Sequence, residues 1–118
     1  MTFRSLTCIA LLFALAGVAQ AHTHLTKSTP EDKSVLTSPP PQLMLHFSEA
    51  TRLTALTLQK EGDKEASKLA PLPTEAAADF TLPLKALTPG AYTINWRVVG
   101  DDNHIMNGVL KFTVKSDK

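Results

Sequence analysis

Two short stretches carry the residues that could do chemistry. One is His22-Thr23-His24; the other is Asp102-Asn103-His104, set in the polar run Gly100-Asp101-Asp102-Asn103-His104-Ile105-Met106-Asn107-Gly108. If His22 opens the processed chain, it offers an α-amine beside its imidazole. An α-amine ordinarily titrates at about 7.7 to 8.0, so giving up its proton near neutral pH costs only about 1 kcal/mol, several times less than for a lysine. An amine, two or three imidazoles and one carboxylate form a nitrogen-rich N,O set. Such tetragonal sets favour Cu(II), which also tops the affinity order of divalent first-row ions. The expectation is one Cu(II) per mature chain, held by His22, Asp102 and His104. Asp101 is the rival carboxylate, but Asp102 has the D-x-H spacing.

A second copper mode stays open. A free amine, two backbone amides and a third-position imidazole make a square-planar amino-terminal site, and His22-Thr23-His24 satisfies that pattern. A strand that begins at His24 would instead keep those amides in a sheet. Taken alone, a terminal histidine is also an ordinary accident of processing, and a loop D-x-H an ordinary solvated turn.

His22 becomes the first residue only if a leader is removed, and residues 1–21 have that layout. Arg4 marks a basic start, Cys8-Ile9-Ala10-Leu11-Leu12-Phe13-Ala14-Leu15-Ala16 an apolar run, and Ala19-Gln20-Ala21 an A-x-A cleavage site. The expected division is a secretory signal over 1–21 and one domain over 22–118, exported to the periplasm. The apolar run is shorter than the roughly 20 residues a membrane span needs, so no membrane anchor is expected. The only cysteine, Cys8, lies in the leader, leaving the mature chain without a disulfide or thiol ligand. Losing Arg4 leaves 11 basic side chains against 11 acidic ones. That balance gives no electrostatic reason to expect nucleic acid as a partner.

The elements that must position these residues read as β-strands. Leu43, Leu45 and Phe47 alternate with Met44 and His46; Leu56 and Leu58 repeat the pattern, as do Phe80, Leu82 and Leu84. Tyr92, Ile94, Trp96 and Val98 share one face, and Leu110, Phe112 and Val114 another. His46 then points outward as a surface residue, and Met44 and Met106 are expected to pack. Turn chemistry is expected at Ser38-Pro39-Pro40-Pro41, Glu61-Gly62-Asp63-Lys64, Pro89-Gly90 and Asn107-Gly108. Pro83 predicts an edge strand, and Ala76-Ala77-Ala78 a possible helical turn. Short strands at this spacing predict an all-β, two-sheet sandwich. Loops gather at the ends of such a sandwich, which would bring the 100–108 loop beside the amino terminus.

Along the mature chain the sequence resembles the CopC copper-binding proteins of bacterial copper handling. The resemblance rests on His22-Thr23-His24-Leu25, Ser28-Thr29-Pro30, Leu45-His46-Phe47-Ser48-Glu49 and Leu87-Thr88-Pro89-Gly90-Ala91-Tyr92-Thr93. It continues through Trp96-Arg97-Val98-Val99, Asp102-Asn103-His104, Asn107-Gly108 and Phe112-Thr113-Val114. It implies an immunoglobulin-like Greek-key β-sandwich, barrel-like in shape, in a single domain. It implies a Cu(II) site at His22, Asp102 and His104, with Glu49 as a supporting candidate beside it; His24 is a further candidate through the amino-terminal mode above. It also implies a periplasmic copper carrier or buffer in copper homeostasis or resistance, monomeric, exchanging copper with an inner-membrane transport protein, and not an enzyme. Some members bind Cu(I) in a methionine-rich loop; the matching stretch here, around Leu56 to Glu65, has no methionine.

Two other classes remain as alternatives. Terminal-histidine copper also serves oxidative enzymes, which need an open coordination position and a broad substrate surface; this short chain shows no aromatic platform and adds a carboxylate to the site. The other is a metal-free immunoglobulin-like interaction module with incidental histidines.

Overall fold

The structure is a computed structural model that describes residues 24–116. His22, Thr23 and the expected leader over 1–21 lie outside the described residues. The described chain contains strands and no helix. Strand β1 spans Leu25–Thr29, β2 Ser34–Leu36, β3 Gln42–Lys60, β4 Ser67–Lys68, β5 Ala77–Pro83, β6 Gly90–Gly100 and β7 Ile105–Val114. The backbone order is β1-β3-β6-β7-β2, with β4 and β5 also paired to β3.

The 19-residue β3 organises the molecule. Its first part pairs with β1 on one side and β5 on the other. Its second part pairs with β6 and β4. The chain changes layer at residues 48–50, where three successive side chains are exposed and the alternation stops. A register shift between Leu53 and Ala55 then flips the buried phase, so Leu43, Leu45, Phe47 and Leu53 are followed by Leu56. Phe47 of the first part meets Trp96 of β6 edge-on at 5.2 Å and Phe80 of β5 at 6.0 Å, closing the two layers over one core.

The alternating sets fill that core as the sequence expects: Phe80, Leu82, Leu84, Tyr92, Ile94, Trp96, Val98, Leu110, Phe112 and Val114 are all buried. Tyr92 stacks on its cross-strand partner Phe112 with ring centroids 5.4 Å apart. Its hydroxyl donates to the Thr88 carbonyl at 2.6 Å, a tyrosine-corner arrangement of immunoglobulin-like sandwiches. Among the described residues β5 pairs only with β3, so Pro83 does sit on an edge strand.

Three local expectations are corrected. The Leu43 and Leu56 segments are one continuous strand, which exchanges its β1 and β5 partners for β6 across residues 48–51. Ala77 and Ala78 open β5 rather than a helical turn, since Ala77 pairs with Thr51 across the sheet. Asn107-Gly108 is not the turn before the last strand; both residues lie inside β7, opposite Arg97 and Trp96. Gly108 is there for space: a Cβ at that position would overlap the Trp96 indole.

Candidate metal centre

The turn between β6 and β7 loops through residues 101–103 and is closed by Gly100 and His104. The Asn103 amide donates to the Gly100 carbonyl and the Gly100 amide to the His104 carbonyl, each at 2.9 Å. This is a three-residue hairpin loop closed by a left-handed residue. Asn103 takes that position with φ of 67°, which asparagine tolerates better than most residues. Asp102 Oδ1 accepts the His104 amide at 3.1 Å. The D-x-H spacing therefore has a local cause: an aspartate bonds the amide two residues on, with the intervening residue left-handed.

The same turn brings the two candidate ligands together. Asp102 Oδ2 and His104 Nδ1 are hydrogen-bonded at 2.8 Å, a bond that a metal ion would replace, and both side chains are about two-thirds exposed. Two donors each about 2.0 Å from one ion and at right angles to each other are also about 2.8 Å apart, so the pair has the bite of a chelate. Asp101 is exposed on the same turn.

Long-range pairing sets what lies beside this turn. Thr51 of β3 pairs with Gly100, and its buried hydroxyl donates to the Val99 carbonyl at 2.8 Å. Three residues earlier on β3, Ser48 holds His24: its Oγ accepts the His24 amide at 3.1 Å and its own amide donates to the His24 carbonyl at 2.9 Å. Three residues of extended chain span at most ~10 Å. The exposed corner 48–50 thus carries the amino-terminal end of the described chain on one side and the Asp102–His104 turn on the other. Glu49 is exposed on that corner.

Among the described residues no group of three His, Cys, Asp or Glu side chains stands close enough to hold a metal. Asp102 and His104 are brought together, while neither His24 nor Glu49 completes a set with them. His22 lies outside the described residues. Ser48 was not legible as a functional residue, because its role depends on the register between β1 and β3.

Residues 25–115 match the family model of the CopC domain. The chain belongs to the CopC family. It is 32% identical over 115 residues to copper resistance protein C of Escherichia coli, covering 89% of this chain and 90% of that protein. It is also 32% identical over 127 residues to copper resistance protein C of Pseudomonas syringae pv. tomato, covering 92% and 96%. CopC from Methylosinus trichosporium OB3b superimposes with a TM-score of 0.69 at 21% identity, over 82% of this chain and 97% of that one, a likeness of fold. PcoC, a methionine-rich copper resistance protein from Escherichia coli, superimposes with a TM-score of 0.59 at 30% identity, over 80% and 100%. These neighbours share the immunoglobulin-like β-sandwich. The family to which the chain belongs, and the relatives it matches, place it among copper resistance proteins.

Proposed function

We propose that this CopC chain is an exported, monomeric copper carrier or buffer that binds one Cu(II) through the amine and imidazole of His22 together with Asp102 and His104. Cleavage after Ala21 creates the amine ligand, the periplasm is the compartment, and an inner-membrane copper transport protein gives or receives the metal. The observation that carries this reading is the Asp102–His104 pair, held at 2.8 Å in a closed turn beside the corner where Ser48 holds His24. An immobilised side chain costs roughly 0.5 to 1.5 kcal/mol on binding, and a turn that already fixes both ligands avoids part of that cost. Glu49 on the corner is the carboxylate suited to accept a hydrogen bond from a ligand, the kind of support that tunes metal affinity.

The amino-terminal peptide mode at His24 is disfavoured by a specific contact. It needs the His24 amide as a deprotonated copper ligand, and that amide donates to Ser48 Oγ. The test is a Cu(II) titration of protein purified from the periplasm of an expressing host, read by electron paramagnetic resonance. One tight equivalent with nitrogen ligation plus one carboxylate oxygen is expected. A spectrum of four nitrogens, or an all-oxygen site, contradicts the reading.

A further inference from the structure

A second group of metal-binding side chains lies on the outer face of the β5-β3-β1 layer. The β3 register sets His46 opposite Asp79 of β5 and Met44 opposite Thr81. Met44 and His46 are two residues apart, so both project from the same face with Cα atoms about 7 Å apart. Met44, His46 and Asp79 line one open recess of about 330 Å³. Met44 is not packed, as a lone thioether would be expected to be, but 42% exposed.

Asp79 Oδ1 hydrogen-bonds to His46 Nδ1. With the proton on Nδ1 shared with that carboxylate, the imidazole lone pair sits on Nε2. A carboxylate behind a histidine is the usual way a metal-binding imidazole is fixed in tautomer and orientation. The available donors are then one imidazole nitrogen and one thioether sulfur. Thioethers select soft ions, Cu(I) above all, and are poor ligands for Zn(II), Mg(II) or Ca(II). The flanking charges offset each other: Lys27 of β1 pairs with His46 from the other side, while the Asp79 carboxylate contacts the imidazole, so the softness of the thioether sets the choice of ion. Lys27 is exposed on a long stem, so its charged end can turn to water.

We propose that Met44 and His46 form a second metal site that takes Cu(I), with Asp79 as the residue that positions the imidazole. The site uses none of the residues assigned to Cu(II) and is separate from the methionine-free stretch around Leu56 to Glu65. Its donors come from the periodicity of β3 and its register with β5.

The test uses periplasm-purified protein under anaerobic conditions, titrated with Cu(I) supplied in acetonitrile against a chromophoric Cu(I) chelator, and X-ray absorption at the copper edge. Wild type is expected to bind one equivalent with a copper–sulfur distance in the absorption spectrum. Met44→Leu should lose that sulfur signal and bind at least about 10-fold more weakly. Asp79→Asn should weaken Cu(I) by about 10- to 100-fold, as loss of such a support does elsewhere. Both should leave the Cu(II) resonance spectrum unchanged, and His104→Ala should leave Cu(I) binding unchanged. The proposal is overturned if wild type shows no sulfur ligand, if the sulfur signal survives Met44→Leu, or if Cu(I) binding is lost in His104→Ala. A wild-type spectrum without a sulfur ligand overturns the proposal whether or not the variants fold, and Met106→Leu, which should keep the sulfur signal, separates Met44 from the other thioether of the described chain. Because the Cu(II) spectrum is read separately, failure here is distinguishable from failure of the carrier reading.

Discussion

At the scale of single residues, Asp102 has two duties that can be separated. One oxygen caps the turn by accepting the His104 amide, and the other faces His104 Nδ1. Asparagine keeps a side-chain oxygen able to cap the turn but carries no charge. Asp102→Asn is therefore expected to leave the urea midpoint nearly unchanged while weakening Cu(II) by about 10-fold or more and shifting its paramagnetic resonance spectrum. An unaltered spectrum would remove Asp102 from the ligand set. Asn103 shows why the middle residue of the triplet is not arbitrary: its positive φ would strain a β-branched side chain. The triplet was legible in the sequence because everything that shapes it is local.

At the scale of elements, the corner of β3 lies between His24 and the Asp102–His104 turn. Ser48 Oγ is one of two links from that corner to His24, and a single such hydrogen bond contributes about 1 kcal/mol. Ser48→Ala should free the His24 amide, seen as faster hydrogen exchange there, and should lower Cu(II) affinity by about 5-fold. Unchanged exchange at His24 would show that the Ser48 amide bond alone holds the terminus. In β7, Gly108 makes room for the Trp96 indole, which is itself buried and cannot move cheaply. Gly108→Ala is expected to cost about 1 to 3 kcal/mol, the usual range for overpacking, measured by urea denaturation. An unshifted midpoint would contradict the packing argument. These elements mark where sequence legibility ended. Alternation revealed the buried faces of β5, β6 and β7, because each has one wet face and one dry one. It did not reveal that Leu43 and Leu56 share a strand, since the phase flips at a bulge. Nor did it find β2, whose three residues are too few to show a period. Asn107-Gly108 looked like a turn because both residue types favour turns, yet the glycine answers to the indole across the sheet. That one corner of β3 carries both His24 and the Asp102–His104 turn depends on the registers of β1 and β6 against one strand, which no local pattern encodes.

At the scale of the whole molecule, the core closes without any of the candidate metal ligands, so the fold is expected to persist in the metal-free protein. The two layers meet through Phe47, Trp96 and Phe80, and the buried set needs no metal to complete it. The candidate ligands Asp102 and His104 are exposed, so solvent protons reach them as readily as a metal ion would. Imidazole ordinarily titrates near 6.5 and an α-amine near 7.7 to 8.0, and a protonated nitrogen cannot bind the metal. The sign follows: the metal-bound form loses ground as pH falls through those values, so apparent Cu(II) affinity should drop by at least about 10-fold per pH unit below 6, while the circular dichroism of the β fold persists. Affinity unchanged between neutral pH and about pH 4 would rule out nitrogen ligands. The central claim joins two distant parts of the chain in one site, and a competition titration of Cu(II) against His104→Ala and His24→Ala tests it most directly. The account predicts that His104→Ala weakens Cu(II) by about 100-fold or more, whereas His24→Ala changes it by less than about 3-fold. Tight binding retained in His104→Ala, together with its loss in His24→Ala, would contradict it.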